Sequence, residues 1–350
     1  MFMKVKLEYG ILLIGIILLC ILVSPLFKGP GLPINIDLAP QYVRIMCLSE
    51  QGTAPNNWCS YINAGTPTSQ YYYPVYDQLL AWSFKVFDPF FMYKLNLVLA
   101  LLLPAIGIWL WLKNKHPIGA AVGFTTYLCL TAGWHGSGFQ ETILVGFWHY
   151  MLSVGFMLIS CYYFNKIVSN TGDEFDLVVF LILLLFILHP MTIFTTIIVY
   201  IGLIIYNYNT VKEHIVACLF LYLLSLGITA FYWIPFLFKM SYFPSSIGAM
   251  LDWSLFMGYI WDPTPKFLIF FAVCAIGYML YKKDKEQYPL LVMFTSLFIF
   301  GALDFIKSPL NTFQVGVRLG AFIIPIVIVL YSLCIDYIYN YLNTLKPISL

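Results

Sequence analysis

LVVFLILLLFILHPMTIFTTIIVYIGLIIY, residues 177–206, is the stretch on which the topology turns. It is thirty residues long, almost wholly apolar, and carries His189-Pro190 near its centre. As one helix it would run about 45 Å at 1.5 Å per residue, well beyond a hydrocarbon core of about 30 Å. As two helices, 177–188 and 191–206, each is short. Proline lacks the N–H a helix ladder needs and favours a break at 190.

The lysines decide between the two readings. With a hairpin at 189–190 the inner segments collect Lys4, Lys6, Lys113, Lys115, Lys166, Lys212, Lys282, Lys283, Lys285 and Lys346. A single span would instead move Lys282, Lys283 and Lys285 outside, against the positive-inside tendency. The reading is therefore ten spans: 9–27, 90–112, 118–134, 143–163, 177–188, 191–206, 215–238, 267–281, 288–305 and 319–342.

Composition agrees. Of 350 residues, 61% are hydrophobic and 10% charged, whereas a soluble domain carries about 25% charged residues. The net charge of +2 decides nothing, because each loop sees its own compartment. The first apolar run, 9–27, is longer than the roughly 7–15 residues of a signal-peptide core, and Ser24-Pro25-Leu26-Phe27 is a poor cleavage site. The expectation is an all-α, multi-pass protein of the plasma membrane, a single domain over 1–350 with both termini cytoplasmic. A long first outer loop spans 28–88, a second spans 239–266, and no soluble domain follows the tenth span. No repeat or low-complexity segment stands out. No basic stripe exists, which leaves nucleic-acid binding without support, and no Gly-rich phosphate loop, Cys-x-x-Cys or nucleophile elbow is present.

The first outer loop holds the chemistry. Asp37 follows the Pro/Gly-rich KGPGLPIN, and Leu38, Tyr42, Ile45 and Met46 recur at helical spacing behind it. Asp37 fits an N-cap, or a general base beside the bilayer; the two roles are compatible. The two arginines, Arg44 and Arg318, both fall on the outer side, whereas every inner basic residue is lysine. A guanidinium grips phosphate with a planar fork, so either could hold a lipid-linked phosphate; the alternative is snorkelling from span ends. Cys47 and Cys59 lie in the same loop and would pair in an oxidising space. The other six cysteines sit in apolar runs as packing residues.

The outer side also holds Glu50, Asp77, His135, Glu141, His189, Asp252, Asp262 and Asp304. His135-x5-Glu141-x7-His149 is not a strong metal spacing, and polar residues at a span mouth account for it equally. His149 is expected inside span four, where an ionisable group is costly and often functional. His189 tops a short hairpin and would line a cavity there, since irregular backbone at membrane depth needs protein or water around it. Tyr71, Tyr72, Tyr73, Trp82, Trp253 and Trp261 suit an interfacial belt, with stacking on sugar rings as the other use.

Five features in order give a resemblance. NIDLAPQYVRI (35–45) places an acid after the first span. Trp58, Gly65, Pro67, Tyr73, Pro74, Tyr76 and Leu79 follow. LHPMTIF (188–194) lies mid-chain, AFYWIPFL (230–237) ends span seven, and VGVRLGAF (315–322) opens the last span with an arginine. The chain thereby resembles the GT-C superfamily of polytopic membrane glycosyltransferases, in particular its bacterial and archaeal branch without characterised members. The resemblance implies two surface-lying helices in the first loop, at Asp37–Leu48 and Tyr73–Phe87. It implies a polyprenyl-phosphate sugar donor, Asp37 as catalytic base, and Arg318, with Arg44, at the donor phosphate. His189, Glu141, His135, His149 and Tyr73 become cavity or acceptor candidates. Some members of that family use a divalent metal, and Asp37 with Glu141 would supply half of an oxygen-rich site. One acid stands where many relatives have an adjacent pair, and the acceptor stays open. Two other classes compete: a transporter or flippase of a lipid-linked or polar solute, which the His189-Pro190 break suits, and a non-catalytic subunit that kept the fold.

Overall fold

The computed structural model describes residues 7–29, 31, 38–51, 58–59, 66–67, 74–130, 137–186, 190–212, 264–303 and 320–345, with isolated positions between 216 and 234. The described chain is helical apart from a two-residue antiparallel pair, β1 (Trp58–Cys59) with β2 (Thr66–Pro67). Its helices are α1 (Leu7–Lys28), α2 (Leu38–Gln51), α3 (Pro74–Phe84), α4 (Pro89–Leu112), α5 (Pro117–Cys129), α6 (Trp148–Val168), α7 (Glu174–Leu184), α8 (Pro190–Tyr206), α9 (Tyr208–Val211), α10 (Lys266–Lys282), α11 (Tyr288–Leu303) and α12 (Gly320–Thr344).

Four of these, α1, α4, α6 and α12, are long and apolar enough to cross a membrane. On α1 the large side chains of Leu13, Ile14, Ile17 and Ile21 are exposed, an outward face suited to lipid rather than water. The architecture is that of a membrane-embedded all-α protein, and α12 lies at its centre. Every residue from Gly320 to Leu330 is buried, and α12 packs on α4, α5, α10 and α11.

The break predicted at Pro190 is real. The Asp173 side chain caps α7 by accepting from the Asp176 N–H, and the helix stops at Leu184. Phe164 and Phe156 of α6 meet Phe180 and Phe186 at ring-centroid distances of 5.4 and 5.1 Å, so α7 runs antiparallel to α6. The Thr195 Oγ1 lies 3.7 Å from Met157 Sδ, and the Tyr200 hydroxyl donates to Ser160 Oγ at 3.0 Å, so α8 runs parallel to α6. The chain therefore reverses between α7 and α8.

α4 and α6 also run parallel and approach closely through glycine. A Cβ at Gly155 would stand 2.5 Å from Leu103 Cβ, and one at Gly107 2.7 Å from Leu158 Cβ. Small residues at such crossings let two backbones meet where packing and hydrogen bonds, rather than water exclusion, drive association.

Two boundaries differ from the sequence reading. The third expected span ends at Cys129 as α5 rather than at 134. The fourth begins at Trp148 rather than at 143, because residues 140–145 form a wide π turn and Gly146 takes a positive φ of 96°. A left-handed backbone costs glycine little, and it separates the π turn from α6. His149, expected inside a span, is thereby in the first turn of its helix.

Candidate functional site

The two helices of the polar 28–88 stretch form where they were expected, as α2 and α3, and pack against each other and on the start of α4. Sequence explains the docking of α2. Leu38, Ile45 and Leu48 share one buried face, and Tyr42 beside them stacks on Phe90 at 4.9 Å. The Tyr93 hydroxyl donates to the Leu38 carbonyl at 2.9 Å and accepts from Trp148 Nε1 at 2.7 Å. The head of α2 is thereby anchored, and α2, α4 and α6 are tied at one point. The buried Lys94 donates to the Gly29 carbonyl at 2.6 Å, which ties the end of α1 to the same helix.

This scaffold brings together three ionisable groups from distant parts of the chain. Arg44 on α2, Asp77 on α3 and His149 on α6 are all buried. Arg44 Nη2 stands 2.7 Å from Asp77 Oδ2 and 2.6 Å from His149 Nε2. Asp77 Oδ1 is 3.0 Å from the same imidazole nitrogen. His149 Nδ1 meets Gln41 Oε1, one turn before Arg44. The His149 ring stacks on Trp148 with centroids 3.3 Å apart.

The contacts fix the protons. A guanidinium only donates, so Nε2 must present its lone pair to Arg44, and Nδ1 carries the hydrogen that Gln41 accepts. The carboxyl oxygen facing that lone pair at 3.0 Å is then best protonated. Burial independently pushes the Asp77 carboxyl up to about 7, with the Arg44 charge pulling it back down. Desolvation disfavours the ionised acid more than one cation restores it. The cluster accordingly holds one fixed positive charge and one proton that comes and goes near neutrality.

Of the site residues expected from sequence, Arg44 and His149 meet here. Asp37, Tyr73, His135, His189 and Arg318 lie outside the described residues, and only the backbone of Glu141 is described, within the π turn. Cys47 is disulfide-bonded. The proposed partner Cys59 is described only in backbone, on β1, which lies against α2. Among the described residues no group of three or more His, Cys, Asp or Glu side chains could hold a metal ion.

Asp77 was one of several outer acids in the sequence, and nothing gave it a role. The only local signal was an acid in an otherwise uncharged eleven-residue helix, PVYDQLLAWSF. Gln41, Tyr93 and Asn96 gave none. Asn96 accepts from the Tyr76 hydroxyl, so α3 is held to α4 by the residue beside Asp77. No protein-family model matches this chain, and neither a curated protein nor a solved structure does.

Proposed function

We propose that this protein is a membrane glycosyltransferase that moves a sugar from a polyprenyl-phosphate donor to an acceptor at the outer face of the membrane. The observation that carries the reading is the docking of both first-loop helices on the mouths of α4 and α6, with an arginine, a carboxyl and an imidazole buried at their junction. Asp37 immediately precedes α2 in sequence, next to the anchored Leu38. In an inverting transfer, Asp37 takes the proton of the acceptor hydroxyl. The acceptor oxygen bonds to the anomeric carbon, and the bond from that carbon to the phosphate oxygen breaks. The electron pair leaves with the polyprenyl phosphate, whose charge a guanidinium stabilises. Arg44 is engaged with Asp77 and His149, so Arg318 takes the phosphate role and Arg44 holds α2 in place.

The reversal between α7 and α8 favours a second reading, a transporter of a lipid-linked or polar solute. One set of measurements separates them. Native mass spectrometry of the purified protein should show retention of polyprenyl phosphate over ordinary phospholipid, with loss in Arg318→Ala. Sugar release from labelled polyprenyl-phosphate donors should fall roughly 10²–10⁴-fold in Asp37→Asn. Retention without any Asp37-dependent release moves the reading to transport, and no selective retention removes the donor altogether.

A further inference from the structure

Beneath the Arg44–Asp77–His149 cluster lies a second group of polar side chains that the cluster does not use. Asn96 Nδ2, Ser153 Oγ, Thr192 Oγ1 and Thr196 Oγ1 are buried with no hydrogen-bond partner. Their residues are 3%, 1%, 0% and 2% exposed. Buried polar groups are almost always paired, so four orphans in one neighbourhood need a reason.

Helix geometry puts them together. Ser153 lies one turn past His149 and one turn before Met157, on the face of α6 that meets α8 through Met157–Thr195 and Ser160–Tyr200. Thr192 and Thr196, four residues apart, share a face of α8 and flank that contact. Ile193, between them, packs on Tyr76 of α3. The Tyr76 hydroxyl in turn holds Asn96 Oδ1, which leaves Asn96 Nδ2 beside it. Three helices thus present one amide N–H₂ and three hydroxyls around the inner side of Tyr76, one turn below His149.

The chemistry of these donors selects the ligand. None is charged, so an anion finds no countercharge among them. Three can both donate and accept, and the fourth donates. We infer that the α4–α6–α8 seam below Tyr76 is a binding site for a neutral polyhydroxylated group, a sugar ring, whose hydroxyls pair Asn96, Ser153, Thr192 and Thr196. The inference rests on the proposed function in one respect only: there, the ring is the sugar of the lipid donor.

The test uses the full chain in amphipol. Decyl glucoside, mannoside, galactoside and N-acetylglucosaminide are compared with decylphosphocholine, with the corresponding free sugars as competitors. Wild type should retain at least one glycoside selectively, and Ser153→Ala and Thr196→Val should each weaken it by about tenfold. Because these hydroxyls have no partner in the folded chain, both variants should unfold thermally at or above the wild-type temperature; a purely structural role predicts a drop. Competition by free sugar at equal strength assigns the site to a solute, and its failure assigns it to a lipid-linked sugar. No selective glycoside retention, or equal retention by the variants, overturns the site. Polyprenyl phosphate, which lacks a sugar, is run alongside and judges the donor reading alone: its binding should be the same in wild type and both variants.

Discussion

At one end of α4, Asp77 meets Arg44 and His149; just past the other end, Asp336 meets His116. The α4 axis between them is about 36 Å long. Asp336 is complete: it accepts from the Gly119 N–H at 3.2 Å and from Asn340 Nδ2 at 2.8 Å, and His116 Nδ1 lies at 2.8 Å. Its neighbour Tyr337 donates to Asp284 at 2.7 Å. These contacts come from His116 just before α5, from α5 and α12, and from the α10–α11 connection. At the Asp77 end one guanidinium nitrogen is shared by an acid and an imidazole, and four unpaired groups lie beneath. The contrast separates a fully paired fastening from a cluster that leaves polar groups over. Satisfied polar groups rigidify; a shared cation above unmatched hydroxyls leaves hydrogen-bonding capacity unspent.

Substitutions sharpen this comparison, and the largest effect is expected at Arg44. Arg44→Ala leaves both the Asp77 carboxyl and the His149 Nε2 lone pair buried without their shared donor, and thermal unfolding in detergent should show a loss of roughly 2–6 kcal/mol, about 1–3 for each stranded group. Asp336→Ala leaves its partners unpaired and should cost roughly 1–3 kcal/mol. Should Asp336→Ala prove the more damaging, the assignment of roles to the two ends would have to be exchanged. Gly155→Val touches neither cluster but forces α4 from α6, at a cost of roughly 1–3 kcal/mol, and it serves as a packing reference.

The Asp77 end also carries a pH response. Between about pH 4 and about pH 7 the folded protein keeps on Asp77 a proton that the unfolded chain has released, since burial lifts the carboxyl from its ordinary 3.8 to about 7. Stability is therefore greatest at the acid side of that window and falls as pH rises through it. Asp77→Asn should flatten the slope in a pH series of unfolding temperatures. An unchanged slope would place the proton elsewhere. The smallest effect is expected at the Lys115–Glu286 pair near His116, where both side chains are more than half exposed. Lys115→Ala should change stability by less than about 1 kcal/mol.

Legibility in the sequence followed the range of the forces involved. The proline break, the first loop helix and the apolar runs were visible because local spacing and backbone chemistry specify them, whereas the second loop helix was expected only from the resemblance. The start of α6 was misplaced because a π turn and a left-handed glycine lie inside an apolar run that hydropathy reads as continuous. The cluster was only half visible. Arg44 and His149 stood out as rare ionisable residues, but Asp77 acquires its meaning from Arg44 thirty-three positions earlier and His149 seventy-two later. The orphan hydroxyls could not be seen at all, since serine and threonine in apolar helices usually bond back to their own backbone, as Thr195 does to Thr192.

The stack of Trp148 on His149 gives the protein an optical consequence. An indole with its N–H fixed on Tyr93 and its face against an imidazole will change its emission when that imidazole's hydrogen bonding or charge changes. A chain in which Trp148 is the remaining tryptophan would therefore report changes at the Arg44–Asp77–His149 cluster, the titration of Asp77 among them, as a fluorescence signal in intact membranes, without any added label.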